Sequence, residues 1–339
     1  MNEASAKPEL LTSSQALERL QLAYQAQPQV SLLAFFSSVL GGITTDPAMM
    51  VIPVDDHMAH RGHAVFDTAN LVDGNMYGLS FHLDRLLKSA KDARIEPYAS
   101  KERLKEIILC TVAATKKRSG VGIRYWMSAG RGDFAIHPAG CKGANFFCIA
   151  HAYDEAAREA AKIKGISEVI IRSIPLKPPE LATLKSNNYL INALTSMEAR
   201  DRGGNLGIQL DQNGNLAESS IGSVGIVTHD LILKTPKLDI ILRGTTLLRA
   251  FDLWPKLASK GILKGFEFCD VTPEEAFKCV EMIGFGGAHV SSIVKLDGQV
   301  VGSGTPGPIF KAFDALLSDD MRLNTDLLDS VPYSNVSSL

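Results

Sequence analysis

Two stretches decide the fold: Leu184-Lys185-Ser186-Asn187-Asn188-Tyr189-Leu190 and Ala217-Glu218-Ser219-Ser220. They place a lysine and a glutamate 33 residues apart along the chain. Taken alone, Lys185 would be an ordinary solvated side chain, because most lysines lie on protein surfaces. Glu218 lies close to a predicted hairpin and could equally face water. What these two residues do therefore depends on the elements between and around them.

An amphipathic helix and a strand meander follow the lysine. Apolar spacing predicts a helix over 188–202, and Gly203 suits the position just after its end. The segments 206–211 and 223–228 predict strands, with a turn at Asn213-Gly214 after the first of them. We expect the apolar residues of the helix to face inward: Leu190, Ile191, Leu194 and Met197.

The part of the chain before the lysine has an equally mixed pattern. The run 49–54 resembles a strand, and Asp73-Gly74 signals a hairpin. Apolar residues at helical spacing predict two helices, and two further apolar segments predict strands. The predicted helices span 82–94 and 101–115, the predicted strands span 123–128 and 145–151, and a later helix spans 246–258.

A length of 339 residues predicts two domains, and the mixture of predicted helices and strands predicts the α+β class. We expect an active site between the domains. The short, charged, alanine-rich segment 154–164 is the best candidate for the connection between the domains. We therefore predict an N-terminal leader at 1–30 with one helix, a small domain at 31–153 and a large domain at 165–339 that carries Lys185.

Composition excludes several classes of function. The 35 Lys and Arg residues nearly balance the 37 Asp and Glu residues, so no basic footprint for nucleic acid or membrane surface is expected. No apolar run reaches the roughly 18 residues of a membrane span, and no secretory or mitochondrial signal is apparent. Five scattered cysteines are typical of an intracellular protein with reduced thiols, and we expect a cytoplasmic location.

Two motifs resemble a dinucleotide-binding site and a metal site, but each has a structural interpretation that we favour. Gly302-Ser303-Gly304-Thr305-Pro306-Gly307 matches a dinucleotide fingerprint, but too little chain follows it for a βαβ unit. A structural turn is the favoured interpretation. His57, His60 and His63 recur every third residue, which is not the spacing of a helical zinc site, so no metal is expected there.

Three groups of residues become informative together. The first is Arg61-Gly62-His63-Ala64-Val65-Phe66-Asp67 with His82-Leu83-Asp84-Arg85-Leu86, the second is the lysine-to-glutamate region, and the third is Leu242-Arg243-Gly244-Thr245-Thr246. In this order and spacing they resemble the class IV aminotransferases, the fold-type IV enzymes that use pyridoxal 5'-phosphate (PLP). The resemblance runs from about residue 55 to about residue 313. It looks closest to plant-type D-amino acid or branched-chain aminotransferase-like proteins.

The resemblance implies a role for each matching residue. Lys185 matches the lysine that binds PLP covalently and then moves the proton during the reaction. Glu218 matches the carboxylate that faces the pyridine nitrogen and keeps it protonated. Arg85 matches the arginine that binds the phosphate. The other implied cofactor residues are Thr245 and Thr246 at a helix N-terminus, Tyr189 in the cofactor pocket, and Gly287 where relatives often have a second phosphate-binding threonine.

Substrate choice is expected to depend on three residues of the first half, namely Phe66, Arg124 and Trp126. Relatives often have a tyrosine at the position of Phe66. Arg124 matches an arginine that serves a substrate carboxylate in branched-chain enzymes, such as that of the donor glutamate. The loop 130–136 lacks the cationic and aromatic pair typical of D-amino acid enzymes, and has Phe134 and Ile136 there instead.

These residues favour a branched-chain-like or broad transaminase that moves an amino group between an amino acid and a 2-oxo acid. A D-amino acid transaminase is the next candidate. An aminodeoxychorismate lyase, which releases 4-aminobenzoate and pyruvate, has the same lysine and cofactor. A non-catalytic PLP-binding protein is the candidate from a different class. The resemblance also implies a homodimer.

Overall fold

The computed structural model describes residues 8–26 and 31–334. Two β-sheets with helices packed on them make up this part of the chain, so the predicted α+β class is confirmed. Residues 1–7 and 27–30 of the predicted leader lie outside the described residues. Between them a helix spans Ser13–Ala26, close to the expected position, and it has no buried residue.

The strands alternate with helices in the first half and dominate the middle of the second half. In the described residues they are β1 (Leu32–Ser37), β2 (Gly42–Thr44), β3 (Ala64–Val72), β4 (Asn75–Tyr77), β5 (Val121–Ser128), β6 (Asn145–Ala152), β7 (Ile166–Ile171), β8 (Leu206–Leu210), β9 (Leu216–Ser219), β10 (Ser223–Val227), β11 (Ile232–Thr235), β12 (Gly265–Phe268), β13 (Glu281–Gly286), β14 (His289–Leu296), β15 (Gln299–Val300) and β16 (Leu328–Ser330).

Most of the longer helices pack against one of the two sheets, while the first helix has no buried residue. The helices are α1 (Ser13–Ala26), α2 (His57–Arg61), α3 (Leu79–Asp92), α4 (Lys101–Ala114), α5 (Glu155–Lys164), α6 (Pro179–Ala182), α7 (Leu190–Asp201), α8 (Thr245–Leu253), α9 (Pro255–Ala258), α10 (Pro273–Lys278) and α11 (Pro308–Leu323). Short 3-10 helices span Pro47–Met49, Pro138–Gly140 and Thr325–Leu327.

The first sheet is antiparallel, with the order β16-β4-β3-β5-β6-β1-β2. Helices α3 and α4 cover one face of it, because each carries an apolar stripe at helical spacing. Leu83 and Leu86 of α3 pack there with Leu104 and Ile108 of α4, and all four are fully buried. The opposite face of β3 and β5 is left to line the functional site.

The second sheet has the order β12-β11-β10-β13-β14-β7-β8-β9, and β15 pairs with β14. Strand β9 also pairs with β10, through Glu218 and Ser223, so the strands from β10 round to β9 close into a barrel. An apolar core that includes Ile170, Ile208 and Val224 fills its interior. Glu218 therefore lies at the closure of the barrel.

The chain crosses between the sheets twice. Helix α5 connects β6 of the first sheet to β7 of the second, at the position of the predicted connection. At the other end, β16 returns to the first sheet and pairs with β4, and Val331 belongs to the core of that sheet. The predicted large domain, 165–339, therefore ends in a strand that completes the sheet of the small domain.

The strand predicted at 49–54 is absent from the structure. Asp46 caps a 3-10 helix at Pro47–Met49, and the following residues run without regular structure. Pro53 lacks the N–H that a strand ladder requires. The apolar character of the segment has another cause, because Met50 packs with Phe35 and Phe147.

The prediction of which face of the helix after the lysine is buried is wrong. In α7 the residues Leu190, Leu194 and Met197 are 72%, 42% and 60% exposed, while the buried residues are Asn192, Thr195 and Ala199. Asn192 donates a hydrogen bond from Nδ2 to the carbonyl of Ser220 at 2.9 Å. The polar face of the helix therefore packs on the barrel, and the apolar face points outward.

A buried ion pair joins the two sheets away from the cavity. Arg249 of α8 donates two hydrogen bonds to Asp320 of α11, at 2.8 and 2.5 Å, and the Tyr77 hydroxyl of β4 donates a third at 2.5 Å. Burial acts to raise the pKa of Asp320, but these partners lower it to about 2. The charge of Asp320 thus depends on Arg249.

Removing Arg249 should leave this buried carboxylate without its cation. We expect Arg249→Ala to lower the free energy of unfolding by roughly 3–5 kcal/mol, as for other broken buried pairs. Arg103→Ala is the matched control, because the Arg103–Glu106 pair is exposed on α4, and its loss should cost less than about 1 kcal/mol. Urea unfolding followed by circular dichroism measures both, and equal losses would contradict this account.

Candidate active site

The backbone of the lysine segment is attached to the first sheet. The N–H of Phe66 donates to the carbonyl of Lys185 at 2.8 Å, and the N–H of Asn187 donates to the carbonyl of Ala64 at 3.0 Å. These bonds make the segment a short antiparallel neighbour of β3, with Val65 opposite Ser186. The N–H of Lys185 itself donates to the Ser89 hydroxyl of α3 at 3.3 Å. The position of Lys185 is therefore fixed by the small domain.

A cavity of about 450 Å³ lies in front of Lys185, between the two sheets. The first sheet contributes Phe66, Thr68 and Arg124, and the barrel contributes backbone and small side chains. Its lining also includes Tyr189, Ser219, Gly222, Ser223, Gly286 and Gly287. The expectation of a site between the two halves of the chain thus agrees with the geometry.

The Lys185 amine lies deep in the protein and faces the cavity. Its Nζ is 4.8 Å from the centre of the Phe66 ring. Burial lowers the pKa of Lys185 to about 8, the charge of Arg85 acts in the same direction, and Asp67 and Glu218 oppose it. A lysine with this pKa has a substantial neutral fraction near neutral pH, which a nucleophilic amine requires.

A buried ion pair holds Arg85. Asp67 of β3 is fully buried and accepts from Nε and Nη2 of Arg85 at 2.8 and 2.7 Å. His82, one turn earlier on α3, completes the set with Nδ1 at 3.0 Å from Asp67. Burial acts to raise the pKa of Asp67, but Arg85 and His82 hold it well below its ordinary range. Arg85 therefore has a fixed direction.

Glu218 is the acidic member of the site. It lies at the end of β9, beside the closure of the barrel, and its charge affects Lys185, Lys177 and Tyr189. Burial raises the pKa of Glu218 to about 7, while Lys185 and Lys177 act to lower it. A carboxylate held in this way would ionise fully when a positive group comes next to it.

The start of helix α8 forms an anion site with Arg85. Gly244 precedes the helix, Thr245 is its first residue, and Arg85 donates from Nη1 to the carbonyl of Arg243 at 3.2 Å. The Thr246 hydroxyl accepts from the N–H of Ala288 at 2.9 Å and keeps its own proton available to donate. Free N–H groups at a helix N-terminus and a buried guanidinium together favour a phosphate.

Gly287 lies beside this anion site. It adopts the left-handed conformation, with φ of 61°, and a Cβ there would have no neighbour within 4 Å. Its carbonyl accepts from Nδ2 of Asn70 at 2.8 Å. The missing side chain leaves room at the position where relatives have a threonine. The N–H of Ala288, the next residue, is already used by Thr246.

Of the aromatic and cationic residues predicted to contact substrate or cofactor on this side, three line the cavity and one does not. Tyr189 packs against Phe66 with ring centres 5.1 Å apart, and the Arg124 guanidinium is 5.4 Å from the Phe66 ring. These three residues line the cavity. Trp126 does not line it, because it packs beside the cluster of Phe35, Met50 and Phe147.

Two buried acids, Asp67 and Glu168, had no predicted role. Asp67 was quoted as part of a motif but received no role, although its spacing to His82 and Arg85 is the signal that could have found it. Glu168 of β7 is 1% exposed and lines the cavity from inside the barrel. Burial raises the pKa of Glu168 to about 7, against the hydrogen bond from Ser219. A single strand residue gives no sequence signal of this kind.

The two doubtful motifs lie away from the cavity. His57 and His63 place their Nδ1 atoms 3.1 Å apart, and their Nε2 atoms face the carbonyls of Ala135 and Ala93. Among the described residues, no three His, Cys, Asp or Glu side chains are placed to hold a metal ion. The segment Gly302–Gly307 forms the predicted turn, and α11 begins directly after it.

Residues in and beside the cavity match the chemical groups of PLP, and of these Lys185 lines the cavity itself while Thr245 and Thr246 line a separate small pocket next to His82 and Ala288. The nucleophilic lysine suits its aldehyde, Glu218 suits its ring nitrogen, and the anion site at α8 suits its phosphate. Phe66 and Tyr189 offer apolar faces to a flat ring. Gly222 packs closely against β13, since a Cβ there would lie 2.6 Å from the carbonyl oxygen of Phe285, so only glycine fits at this point of the cavity wall. The cavity therefore fits this cofactor.

Known proteins are similar to this chain over most of its length. The model of the family described as amino-transferase class IV matches residues 64–295. A D-amino-acid transaminase of Arabidopsis thaliana, named as chloroplastic, is 42% identical over 317 residues, which is 92% of this chain and 82% of the relative. A putative branched-chain-amino-acid aminotransferase of Methanocaldococcus jannaschii is 28% identical over 283 residues, 83% of this chain and 94% of the relative.

Solved structures share the fold. A branched-chain aminotransferase from Thermoproteus uzoniensis, solved with norvaline, has a TM-score of 0.78 and 22% identity, and the match covers 89% of this chain and all of that structure. The branched-chain enzyme from Escherichia coli has a TM-score of 0.77 and 23% identity, with coverage of 89% and 99%. The predicted fold-type IV architecture is confirmed.

The lowered pKa of Lys185 has a measurable consequence. We expect covalent attachment of PLP to the cofactor-free protein to speed up as pH rises through about 8, because only the neutral amine attacks a carbonyl. Borohydride reduction at timed intervals, followed by mass spectrometry, measures the attachment at Lys185. Lys185→Ala is the control without the amine. A midpoint at the ordinary lysine value of 10.5 would contradict the assigned environment.

Proposed function

The chain belongs to the class IV aminotransferases, and from this premise we propose that it transfers amino groups from D-amino acids to 2-oxo acids. Membership of the family makes it a PLP-dependent transaminase, as the sequence predicted. The choice of D-amino acids rests on one observation, the 42% identity to a D-amino-acid transaminase across 92% of the chain. Relatives named for branched-chain substrates are less similar, at 28% identity and below.

Each residue of the site has a task in such a transfer. When bound, PLP supplies the carbon that accepts the amino group and a ring that withdraws electrons. Lys185 binds the cofactor and, as a neutral amine, accepts the proton from the substrate carbon at its Nζ. Glu218 holds a proton at the ring nitrogen, and Arg85 with Thr246 binds the phosphate. Asp67 keeps Arg85 in place and charged.

Arg124 is the residue that we propose for the substrate carboxylate. It lines the cavity, and within the described residues it forms no ion pair. Its guanidinium can therefore form a bidentate pair with an incoming carboxylate. The Phe66 ring beneath it has no hydroxyl to compete for that carboxylate.

A specific observation favours a second candidate, the transamination of branched-chain L-amino acids. The cavity wall beyond Arg124 includes apolar side chains from the barrel, namely Ile166, Leu206, Phe285 and Val290. A branched aliphatic side chain would be desolvated well there. The Methanocaldococcus jannaschii relative has a name that points to the same class of substrate.

Single amino acids added to the PLP-loaded protein distinguish the candidates. We expect D-alanine to convert the absorbance of the bound cofactor to that of its amine form, at least about tenfold faster than L-leucine or L-glutamate. A faster change with L-leucine would establish the second candidate and overturn the first. A spectrum that no amino acid alters, with release of pyruvate from aminodeoxychorismate, would make the chain a lyase.

Helix α7 supports the proposal of a homodimer. Its outward residues Leu190, Leu194 and Met197 form an apolar stripe directly after the lysine segment, and Ile221, 72% exposed, lies at the cavity edge. The helix places Asn192 and Thr195 on the inner side, against the barrel. A face of this kind favours burial against a protein surface. We propose that the second copy of the chain covers it.

Charged substitutions on α7 test the homodimer. We expect the unmodified protein to have twice the chain mass of 36.6 kDa by light scattering, and Leu194→Glu with Met197→Glu to have the chain mass itself. Two buried carboxylates would cost more than the interface supplies. Leu323→Glu is the control, because Leu323 is 74% exposed at the end of α11. A monomeric unmodified protein would contradict the proposal.

The cytoplasm is our proposed location. Within the described residues no helix is long and apolar enough to cross a membrane. The Arabidopsis relative is named as chloroplastic, which makes the chloroplast the alternative. Microscopy of the full chain fused to a fluorescent protein decides between the two locations.

A further inference from the structure

Glu168 is a buried acid of the cavity to which the mechanism above gives no task. It is 1% exposed, and it lines the cavity from β7. Its Oε1 accepts a hydrogen bond from the Ser219 hydroxyl of β9 at 3.2 Å. Its Oε2 is shielded from solvent and has no hydrogen-bond partner among the described residues. Since an unpaired buried oxygen costs free energy, a donor group of a bound molecule would stabilise it.

Within residues 8–26 and 31–334, no basic side chain is paired with this acid. The basic side chains that line the cavity are Lys185, Arg124, Lys162, His151 and His289. Lys162 is bound to Asp314 at 3.0 Å, and Lys185 has its task at the cofactor. Burial raises the pKa of Glu168 to about 7 and the Ser219 hydrogen bond acts to lower it, with no contribution from a charge. A positive group that completes Glu168 therefore has to come with a bound molecule.

Aliphatic side chains surround the Glu168 carboxylate on the cavity wall. Ile166 lies two residues earlier on the same strand, and Leu206 of β8 is paired directly with Glu168. Because side chains alternate along a strand and paired residues share a face, these three side chains point to the same side of the sheet. All three line the cavity. This part of the wall therefore suits a chain of methylene groups that ends in a hydrogen-bond donor.

The opposite charge lies on the other wall of the cavity. Arg124 belongs to β5 of the first sheet, whereas Glu168 belongs to the barrel, and both line the same cavity. A molecule with a carboxylate at one end and an ammonium group at the other would pair with both. An aliphatic donor would use the same apolar wall but would leave Oε2 of Glu168 unpaired.

We propose that Glu168 binds the terminal ammonium group of a diamino acid, so that the amino donor of this chain is a D-amino acid of the ornithine and lysine type. The substrate carboxylate pairs with Arg124, the methylene groups pack on Ile166 and Leu206, and the terminal ammonium donates to Oε2 of Glu168. The α-amino group is transferred to the 2-oxo acid, and the terminal amino group stays on the product. The proposal rests on the proposed function, transamination of an amino acid in this cavity.

A pair of isosteric amino acids tests the role of Glu168. The side chains of D-ornithine and D-norleucine have equal numbers of heavy atoms, but one ends in an ammonium group and the other in a methyl group. At about pH 8.5 the ammonium is charged and Glu168, with its pKa of about 7, is ionised. We expect the PLP-loaded protein to convert its cofactor to the amine form at least about tenfold faster, per unit concentration, with D-ornithine. Stopped-flow absorbance measures both rates.

The ratio of these two rates separates recognition from structure. Glu168→Gln should reduce the ratio to about one or below, because the amide has no charge to pair with the ammonium. Glu267→Gln, exposed on β12 of the same sheet, is the matched control and should leave the ratio unchanged. A loss of both rates in equal proportion in Glu168→Gln would assign Glu168 a merely structural role and overturn the proposal. Equal rates in the unmodified protein would overturn it without any variant.

Two further measurements distinguish failure of this proposal from failure of the proposed function. If only L-amino acids react, the choice of D-amino acids is wrong, and L-ornithine against L-norleucine gives the same ratio for Glu168. Should no amino acid react, binding replaces rate. Calorimetry with the amine form of the loaded protein compares 5-aminopentanoate with hexanoate, which lack the α-amino group. We expect 5-aminopentanoate to bind at least about tenfold more tightly, and equal affinities would overturn the proposal.

Discussion

Backbone hydrogen bonds between the lysine segment and strand β3 join the two halves of the chain at the site. They attach residues 185–187, which belong to the second half of the chain, to the sheet of the first half. The same strand carries Phe66 towards the cavity and Asp67 towards α3. One strand therefore sets the Lys185 amine, the Phe66 ring and the Arg85 guanidinium relative to one another.

Acidic and basic side chains lie close together around the lysine segment. How each acid is paired determines its pKa. Asp67 is bound so tightly by Arg85 that it stays ionised and fixes the guanidinium. Glu218 has no such partner, so its proton is held near neutral pH and remains responsive to what lies beside it. The low dielectric of the interior makes both effects larger than they would be in water. Asp67 and Glu218 thus differ in their partners, and Asp67 is also the more deeply buried of the two.

The sequence was sufficient for the family and for most helices. Lys185, Glu218, Arg85 and Thr246 could be named as candidates because each matches a family position, and their roles remain proposals. The buried face of α7 could not be predicted, because periodicity reports an apolar stripe without saying what covers it. The apolar run at 49–54 was taken for a strand because short apolar runs do not distinguish a strand from a packed loop. Trp126 lies opposite Phe66 in the sheet but does not line the cavity, and its part in substrate choice stays a prediction.

The return of the chain to the first sheet has a consequence for biosynthesis. Strand β16 pairs with β4, and Val331 fills the core beneath it, although most of that sheet is made of residues before 153. A ribosome must therefore translate the whole barrel before the earlier sheet receives its last strand. Until then the edge of β4 is open to other nascent chains, which is the situation in which chaperones act. The first half of the chain is synthesised first but completed last.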